Sequence, residues 1–221
     1  MAGCGPGFQK TNWNTFRQLE RNFCEPMILS NTGIQQCLDS GEIEIYPQPG
    51  PDQYTTSAVD LFLGSEFQIW NPEMFQVPGA SVVLDLAQQS FTLTARAYLK
   101  TLTPAPDGSI TFPPFRESPA HMLAITRERV HLKNASRIAA RVEGRSSLAR
   151  LGLMVHITAP TIHAGFRGAI TLEMVNLGPF HLKLVPQRTR VCQLIFERLE
   201  TQPAGDIVTA FQGQTKPSGA Q

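Results

Sequence analysis

Short apolar runs, each broken by Gly, Pro, Asn or Asp, recur along the chain from Val59 onward. Several of these runs alternate apolar and polar residues with a period of two, which is typical of strands with one buried face. The runs cover residues 82–84, 138–142, 153–157, 169–173, 181–185 and 191–196. Because long helical periodicity is scarce, the pattern predicts an all-β barrel or sandwich.

Helical signals are few and local. Ser30 or Asn31 is suited to cap a short helix that continues through Leu38 and ends at Gly41. Residues 42–45 alternate like a strand, and residues 147–151 favour a single helical turn. The prolines in segment 103–119 exclude a helix there, so we expect an inserted hairpin or loop.

Composition and hydrophobic pattern divide the chain into three parts. Residues 1–26 form an N-terminal extension, with a short helix predicted over 14–23. Residues 27–200 carry the strand pattern and form the folded domain. Residues 201–221 are polar and rich in Gly, Pro and Gln. That tail is either a disordered terminus or a flexible lid that orders on a ligand.

Composition narrows the class of protein. The 221 residues include 42% hydrophobic and 17% charged residues, which indicates a globular chain with a sizeable core. A formal net charge of +1 disfavours a protein whose whole surface binds nucleic acid or an anionic membrane. No apolar run approaches the roughly 18–20 residues that span a bilayer, so we expect a cytoplasmic protein. The four cysteines include no C-x-x-C pair, which disfavours structural zinc and a disulfide framework.

Arg145, Ser146 and Ser147 directly follow Gly144 and make the densest chemical signal. A guanidinium, two hydroxyls and free backbone N–H groups at a helix start suit a polyphosphate. The competing interpretation is an ordinary exposed loop, since Arg and Ser are common surface residues. Between residues 127 and 150 there are seven Lys or Arg residues against two Glu, an imbalance that an anion site requires.

Glu173 follows the apolar residues of run 169–173. If Ile170 and Leu172 face one side of a strand, Thr171 and Glu173 face the other. A carboxylate among apolar neighbours is a candidate general base, because burial raises its pKa. The alternative is a solvated residue or an ion-pair partner of Arg150.

The histidines carry weaker signals. His156 lies in a predicted strand and His163 in a turn-like stretch, and each is either structural or catalytic. No H-E-x-x-H motif and no zinc-deaminase motif occurs, which disfavours a protein-bound zinc.

Segments 141–159 and 164–173 closely resemble dCTP deaminases of the dUTPase superfamily. Shorter segments fit the same family. They are residues 27–30, 57–64, 176–179, 191–196 and 211–214. The resemblance implies a distorted, mostly antiparallel β-barrel or jelly-roll of dUTPase type with a few short helices. It also implies a homotrimer with active sites between subunits.

The resemblance further implies a hydrolase that deaminates dCTP to dUTP and ammonia for thymidylate synthesis, with Mg²⁺ bound through the triphosphate and no zinc. Glu173 matches the carboxylate that activates water, Ser146 a serine that positions it, and Arg150 an arginine from the neighbouring subunit. The matches to nucleotide- and phosphate-binding positions are Arg145, Ser146, Ser147, Gln193 and Gln214. The matches to a sugar or base pocket are His156, Thr158, Ala159 and His163.

Three positions depart from the family pattern. His163 replaces an Asp that contacts the deoxyribose and serves triphosphate hydrolysis in dUTPase relatives. Ala210 and Phe211 stand where the tail carries Lys-Tyr, and Phe62 replaces an arginine. These departures leave open a catalytically weakened nucleotide-binding paralogue, a sensor or regulatory trimer. They disfavour a dUTP diphosphatase.

Overall fold

A computed structural model describes residues 27–75, 81–88, 90–117, 119, 121–205 and 211–219. The predicted N-terminal extension and Ala210 lie outside the described residues. Among the described helices, none has the length and hydrophobicity needed to span a membrane.

Three α-helices occur among the described residues: α1 (Asn31–Asp39), α2 (Phe91–Tyr98) and α3 (Ser146–Ala149). Ser30 caps α1, because its hydroxyl accepts a hydrogen bond from the Gly33 N–H at 3.3 Å. The helix predicted to begin after Ser30 or Asn31 is therefore confirmed, and Ser30 is its cap. Short 3₁₀ turns lie at Pro51–Gln53, Pro72–Met74 and Asn134–Ser136.

The strands account for most of the regular structure. They are β1 (Met27–Ile28), β2 (Ile43–Tyr46), β3 (Val59–Trp70), β4 (Leu99–Thr101), β5 (Ile110–Phe112), β6 (His121–Leu132), β7 (Ile138–Gly144), β8 (Leu153–Met154), β9 (Thr161–Ile162), β10 (Arg167–Asn176), β11 (Leu182–Leu184) and β12 (Arg190–Arg198).

These strands form a curled ten-stranded antiparallel sheet and a small two-stranded one. The main order is β8-β10-β6-β3-β12-β7-β9, and β1, β2 and β4 pair with β12, β6 and β3. The core lies on the face to which β3, β10 and β12 turn their alternate apolar residues, such as Leu61, Leu172 and Phe196. The predicted mostly β, distorted antiparallel fold is confirmed.

Three local predictions differ from the structure. Residues 82–84 form no strand, and their apolar side chains are exposed, so this short run lacks the buried face that stabilises a strand. β8 stops at Met154, so His156 lies outside any strand. Of the hairpin and the loop expected for segment 103–119, the hairpin is wrong, because β5 within the segment pairs with β11 outside it.

The described part of the tail is hydrogen-bonded to β10. The Gly213 N–H donates to the Arg167 carbonyl at 2.6 Å, and the Ala169 N–H donates to the Gln214 carbonyl at 3.2 Å. Gly168 has a φ of +150°, and a Cβ there would lie 3.1 Å from the Gln214 nitrogen. Glycine at 168 therefore permits this close approach of the tail to β10.

Candidate active site

A cavity of about 540 Å³ lies between β10, the segment after β8, and the tail. Its lining brings together five residues predicted for the site. These are His156, Ala159, His163, Glu173 and Gln214. Thr158 is exposed and does not line the cavity, although its neighbour Ala159 does. The volume suits a nucleotide base with its sugar.

Glu173 stands on the cavity side of β10. Its neighbours Leu172 and Met174 are fully buried on the opposite side of the strand, whereas Glu173 itself is half-buried. Burial raises the pKa of the Glu173 carboxyl, while hydrogen bonds from the backbone at Ile157 and Glu173 and the charge of His156 oppose the rise. A carboxyl with a raised pKa can both accept and return a proton near neutral pH.

Aromatic and aliphatic side chains form one wall of the cavity. Phe91 of α2 packs on Phe211 of the tail, with ring centroids 6.0 Å apart, and Ile162 and Phe166 complete the apolar surface. Such a wall suits the face of a planar heteroaromatic ring. Sequence reasoning missed Phe91, because the alternation in residues 91–94 resembles a strand and gives no helical signal.

Two polar side chains at the cavity keep unsatisfied atoms. The Gln214 Nε2 donates to the Ala169 carbonyl at 2.7 Å, and its buried Oε1 has no hydrogen-bond partner among the described residues. The His156 Nε2 lies 3.8 Å from Glu143 Oε2, and its buried Nδ1 likewise finds no partner in the part of the chain that the structure describes. An unsatisfied buried polar atom costs about 1–3 kcal/mol, so a ligand that bonds these atoms gains affinity.

Two of the remaining predicted residues contact Asp60 on β3, away from the cavity. Arg145 Nη2 lies 3.3 Å from Asp60 Oδ2, and Gln193 Nε2 donates to Asp60 Oδ1 at 3.0 Å. Ser146 and Ser147 begin α3 and are exposed. None of these four residues lines the cavity of the same chain.

Arg150 stays apart from the cavity as well. It caps the C-terminal end of α3 and is exposed, and within the described chain it makes no ion pair with Glu173. One chain therefore presents two separate sets of predicted residues: a cavity with a carboxylate, and a cationic group beside two serines.

The buried thiols do not act as nucleophiles at neutral pH. Burial raises the pKa of Cys192, and the carboxylates of Glu128 and Asp60 add to the rise. Burial also raises the pKa of Cys37 to about 11. Both groups stay protonated, and a protonated thiol is a poor nucleophile. Within the described ranges, no three His, Cys, Asp or Glu side chains are grouped to hold a metal ion.

The family model described as dCTP deaminase-like matches residues 28–199. The chain belongs to this family.

Curated relatives agree over most of the chain. A protein of Methanosphaera stadtmanae named "dCTP deaminase, dUMP-forming" is 37% identical over 197 residues, covering 86% of this chain and 91% of the relative. The dCTP deaminase of Rhodospirillum rubrum is 40% identical over 174 residues, covering 78% of this chain and 83% of the relative. The resemblance drawn from the motifs is confirmed.

A solved structure supports the fold. The 2'-deoxycytidine 5'-triphosphate deaminase of Agrobacterium tumefaciens matches with a TM-score of 0.54 and 18% identity, covering 78% of this chain and 48% of that chain. The present chain thus spans about half of that protein's length.

The structure explains how the chain tolerates Phe62 in place of the family's arginine. The Arg127 guanidinium lies 4.3 Å from the centre of the Phe62 ring. Its Nη2 is 2.6 Å from Oε1 of Glu128, which is fully buried and also accepts a hydrogen bond from the Phe62 N–H at 2.8 Å. β6 thus supplies a cation beside the position where β3 lacks one.

Proposed function

We propose that this chain is a dCTP deaminase that hydrolyses the C4–amino bond of dCTP to give dUTP and ammonia. The observation that carries the proposal is the position of Glu173. It is the single carboxylate among the described residues that line the cavity, and burial raises its pKa. Membership of the dCTP deaminase-like family supports the same reaction.

Glu173 performs the proton transfers. Its carboxylate takes a proton from water, and the resulting hydroxide attacks C4 of the cytosine ring. The carboxyl gives this proton to the ring nitrogen N3. It then takes the proton of the new C4 hydroxyl and gives it to the amino group, which leaves as ammonia while C4 becomes a carbonyl, so that the base is restored after each turnover. Ser146 holds the water, and fixed backbone dipoles stabilise the developing negative charge.

The nucleotide binds with its base against the Phe91 and Phe211 wall. The Gln214 amide, His156 and Ala159 contact the base, while His163 faces the sugar. The substrate carries Mg²⁺ on its triphosphate, which reduces the charge that the protein must balance.

Two subunits build each site in the proposed homotrimer. The cavity residues of one chain do not meet Arg145, Ser146, Ser147, Arg150 or Gln193 of the same chain. A cyclic arrangement brings the cationic group of one subunit to the cavity of the next. This arrangement supplies both the phosphate contacts and the serine and arginine that complete the water site.

The product we propose is dUTP rather than dUMP. The Methanosphaera stadtmanae relative is named as dUMP-forming, so the choice of dUTP over dUMP needs its own argument. Hydrolysis of the triphosphate requires activation of another water, and His163 stands where the family pattern has a carboxylate. The imidazole cannot provide the same anionic base.

Product analysis tests the proposal. The purified protein is incubated with dCTP and Mg²⁺, and nucleotides are separated by ion-exchange chromatography while ammonia is assayed. We expect dUTP and ammonia in equal amounts. Formation of dUMP with pyrophosphate would overturn the assignment of product. A folded protein that binds dCTP without turnover would instead support the regulatory nucleotide-binding paralogue.

A further inference from the structure

Asp60 is a buried carboxylate that takes no part in the proposed deamination. It lies in the central strand β3, and its side chain is only 4% exposed. Three side chains converge on it: Arg145 Nη2 at 3.3 Å, Arg190 Nη1 at 3.9 Å and Gln193 Nε2 at 3.0 Å. Two of the three are residues predicted to bind phosphate.

Arg190 is the new member of this group. It begins β12 opposite Phe62, and its guanidinium lies 5.5 Å from the centre of the Phe62 ring. Arg145 Nη1 lies 3.5 Å from the Arg190 carbonyl oxygen, so the two arginines are neighbours. Arg190 also binds Asp52: its Nη1 donates to the Asp52 carbonyl at 2.8 Å, and its Nη2 pairs with the Asp52 carboxylate, whose side chain is 71% exposed.

The arrangement leaves both guanidiniums able to bind an anion. Their side chains are 31% and 27% exposed, so each has one side toward Asp60 and another toward solvent. The Asp52 carboxylate is mostly exposed, so its ion pair with Arg190 Nη2 contributes little, and another anion can replace it there. The buried Asp60 carboxylate attracts Arg145 at 3.3 Å and Arg190 more weakly at 3.9 Å, and so draws both guanidiniums toward one point.

We propose that Asp60 is a positioning residue that orients Arg145 and Arg190 as a two-guanidinium clamp for the triphosphate of the substrate. The proposal rests on the proposed function, because it names how that substrate's phosphates are held. Arg190 is thereby a further phosphate-binding residue. Planar guanidiniums bind phosphate oxygens in pairs, and fixing them in advance reduces the entropy lost on binding.

Steady-state kinetics with dCTP and Mg²⁺ test the clamp in the full-length protein. Asp60→Asn and Arg190→Gln should each raise KM by roughly tenfold or more, because a charge-assisted contact with the phosphates is misplaced or lost. The value of kcat should change much less, since neither residue touches the reacting carbon. Arg190→Lys should recover part of the loss because it keeps the charge.

An inorganic probe isolates the anion site from the chemistry. The inhibition constant of inorganic tripolyphosphate against dCTP should rise by the same factor in Asp60→Asn and Arg190→Gln. The matched control is Arg141→Gln, which removes a part-exposed guanidinium paired with Glu197 on the neighbouring strand. Neither KM nor the inhibition constant should change by more than about twofold in this control.

The outcomes separate this proposal from the deamination itself. Unchanged KM and inhibition constants in folded Asp60→Asn and Arg190→Gln would overturn the clamp, as would a loss confined to kcat. If Asp60→Asn fails to fold, Arg190→Gln decides, because its side chain is partly exposed. If the wild-type protein does not turn over dCTP, the proposed function has failed. Calorimetry with tripolyphosphate then tests the clamp alone: weaker binding by Arg190→Gln than by wild type supports it, and equal binding overturns it.

Discussion

Glu173, the proposed general base, also carries a penalty for stability. Burial between β10 and the cavity wall disfavours its charged form and raises its pKa. Between the unfolded and the raised folded pKa, the folded state binds more protons than the unfolded state. The free energy of unfolding therefore decreases as pH rises through that interval, and the penalty is fully present above the folded pKa.

Glu173→Gln should remove both properties together. We expect deamination to fall by about 10²–10⁴-fold, because the general base is lost. Binding of dCTP should be largely kept, since the amide has nearly the same shape. The gain in Tm over wild type should be larger at about pH 8 than at about pH 3, where the wild-type carboxyl is protonated in both states.

Enzyme assays, calorimetry with dCTP and thermal melts at both pH values measure these effects. The wild-type kcat/KM should decline on the acid side at a pH above the ordinary range of a glutamate. Full activity of Glu173→Gln would show that another group activates the water. A Tm difference that does not depend on pH would show that burial does not penalise the charge.

Arg127 contacts the Phe62 ring, so a substitution at one of these positions changes the surroundings of the other. Glu128 is fully buried, and Arg127 supplies a cation to it from a side chain that is 25% exposed. Arg127→Leu should reduce the free energy of unfolding by about 2–3 kcal/mol, because a buried carboxylate loses its cation. The double variant Phe62→Arg/Arg127→Leu should recover at least about half of that loss, since the new arginine starts from the adjacent strand.

Chemical denaturation of both single variants and the double variant gives the coupling free energy. Arg141→Gln is the control, because its part-exposed pair with Glu197 should contribute less than about 1 kcal/mol. If the changes in free energy of unfolding caused by the two substitutions simply add, an arginine at position 62 does not replace Arg127 as the cation beside Glu128.

At the scale of elements, the sequence predicts a helix when interactions within the helix's own segment stabilise it. The α1 helix is predicted because the Ser30 cap and the apolar residues Ile34 and Cys37 lie within one segment. The α2 helix has alternating residues over 91–94, and no described side chain caps it. Its conformation depends on packing by other elements, such as Phe211 of the tail, and sequence periodicity contains no information on that contact.

The tail is an element whose position depends on a few hydrogen bonds. Gln212 Oε1 accepts from the Arg167 N–H at 2.8 Å, and Gln212 Nε2 donates to the Gly165 carbonyl at 2.9 Å. Gln212→Ala removes both bonds, each of which contributes about 0.5–1.5 kcal/mol. The amides of Gly213 and Gln214 should therefore exchange with solvent roughly tenfold faster or more.

Hydrogen–deuterium exchange with peptide resolution measures this effect. Amides in the centre of β10, such as that of Leu172, should keep their protection. Gln35→Ala is the matched control, because it removes an exposed glutamine-to-Asp39 hydrogen bond on α1 and leaves the tail untouched. Unchanged exchange of residues 213 and 214 in Gln212→Ala would show that other contacts hold the tail.

At the scale of the whole molecule, the fold brings some of the predicted residues together and separates others, and the sequence does not predict this grouping. Glu173, His163 and Gln214 meet at one cavity, as the motifs imply. Asp60 and Gln193 are 133 positions apart and meet only because β12 pairs with β3. Convergence of this kind follows from strand order, and strand order follows from packing over the entire sheet rather than from any local pattern.

The separation of the two residue sets leads to a prediction about assembly. If each site joins the cavity of one subunit to α3 of the next, Glu173→Gln and Ser146→Ala damage different subunits of that site. A subunit with Ser146→Ala still has Glu173, and a subunit with Glu173→Gln still has Ser146. In a cyclic trimer containing both kinds, one junction has both intact residues, so about one third of wild-type activity should return.

Co-expression of the two variants with different affinity tags, followed by purification on both tags, isolates such mixed assemblies. Each variant alone should be nearly inactive, and two differently tagged copies of Glu173→Gln provide the control for tagging. Activity near one third of wild type in the doubly tagged species requires that Glu173 and Ser146 act across a subunit boundary. Doubly tagged species as inactive as the single variants would place the complete site within one chain, because every chain would then carry a broken site.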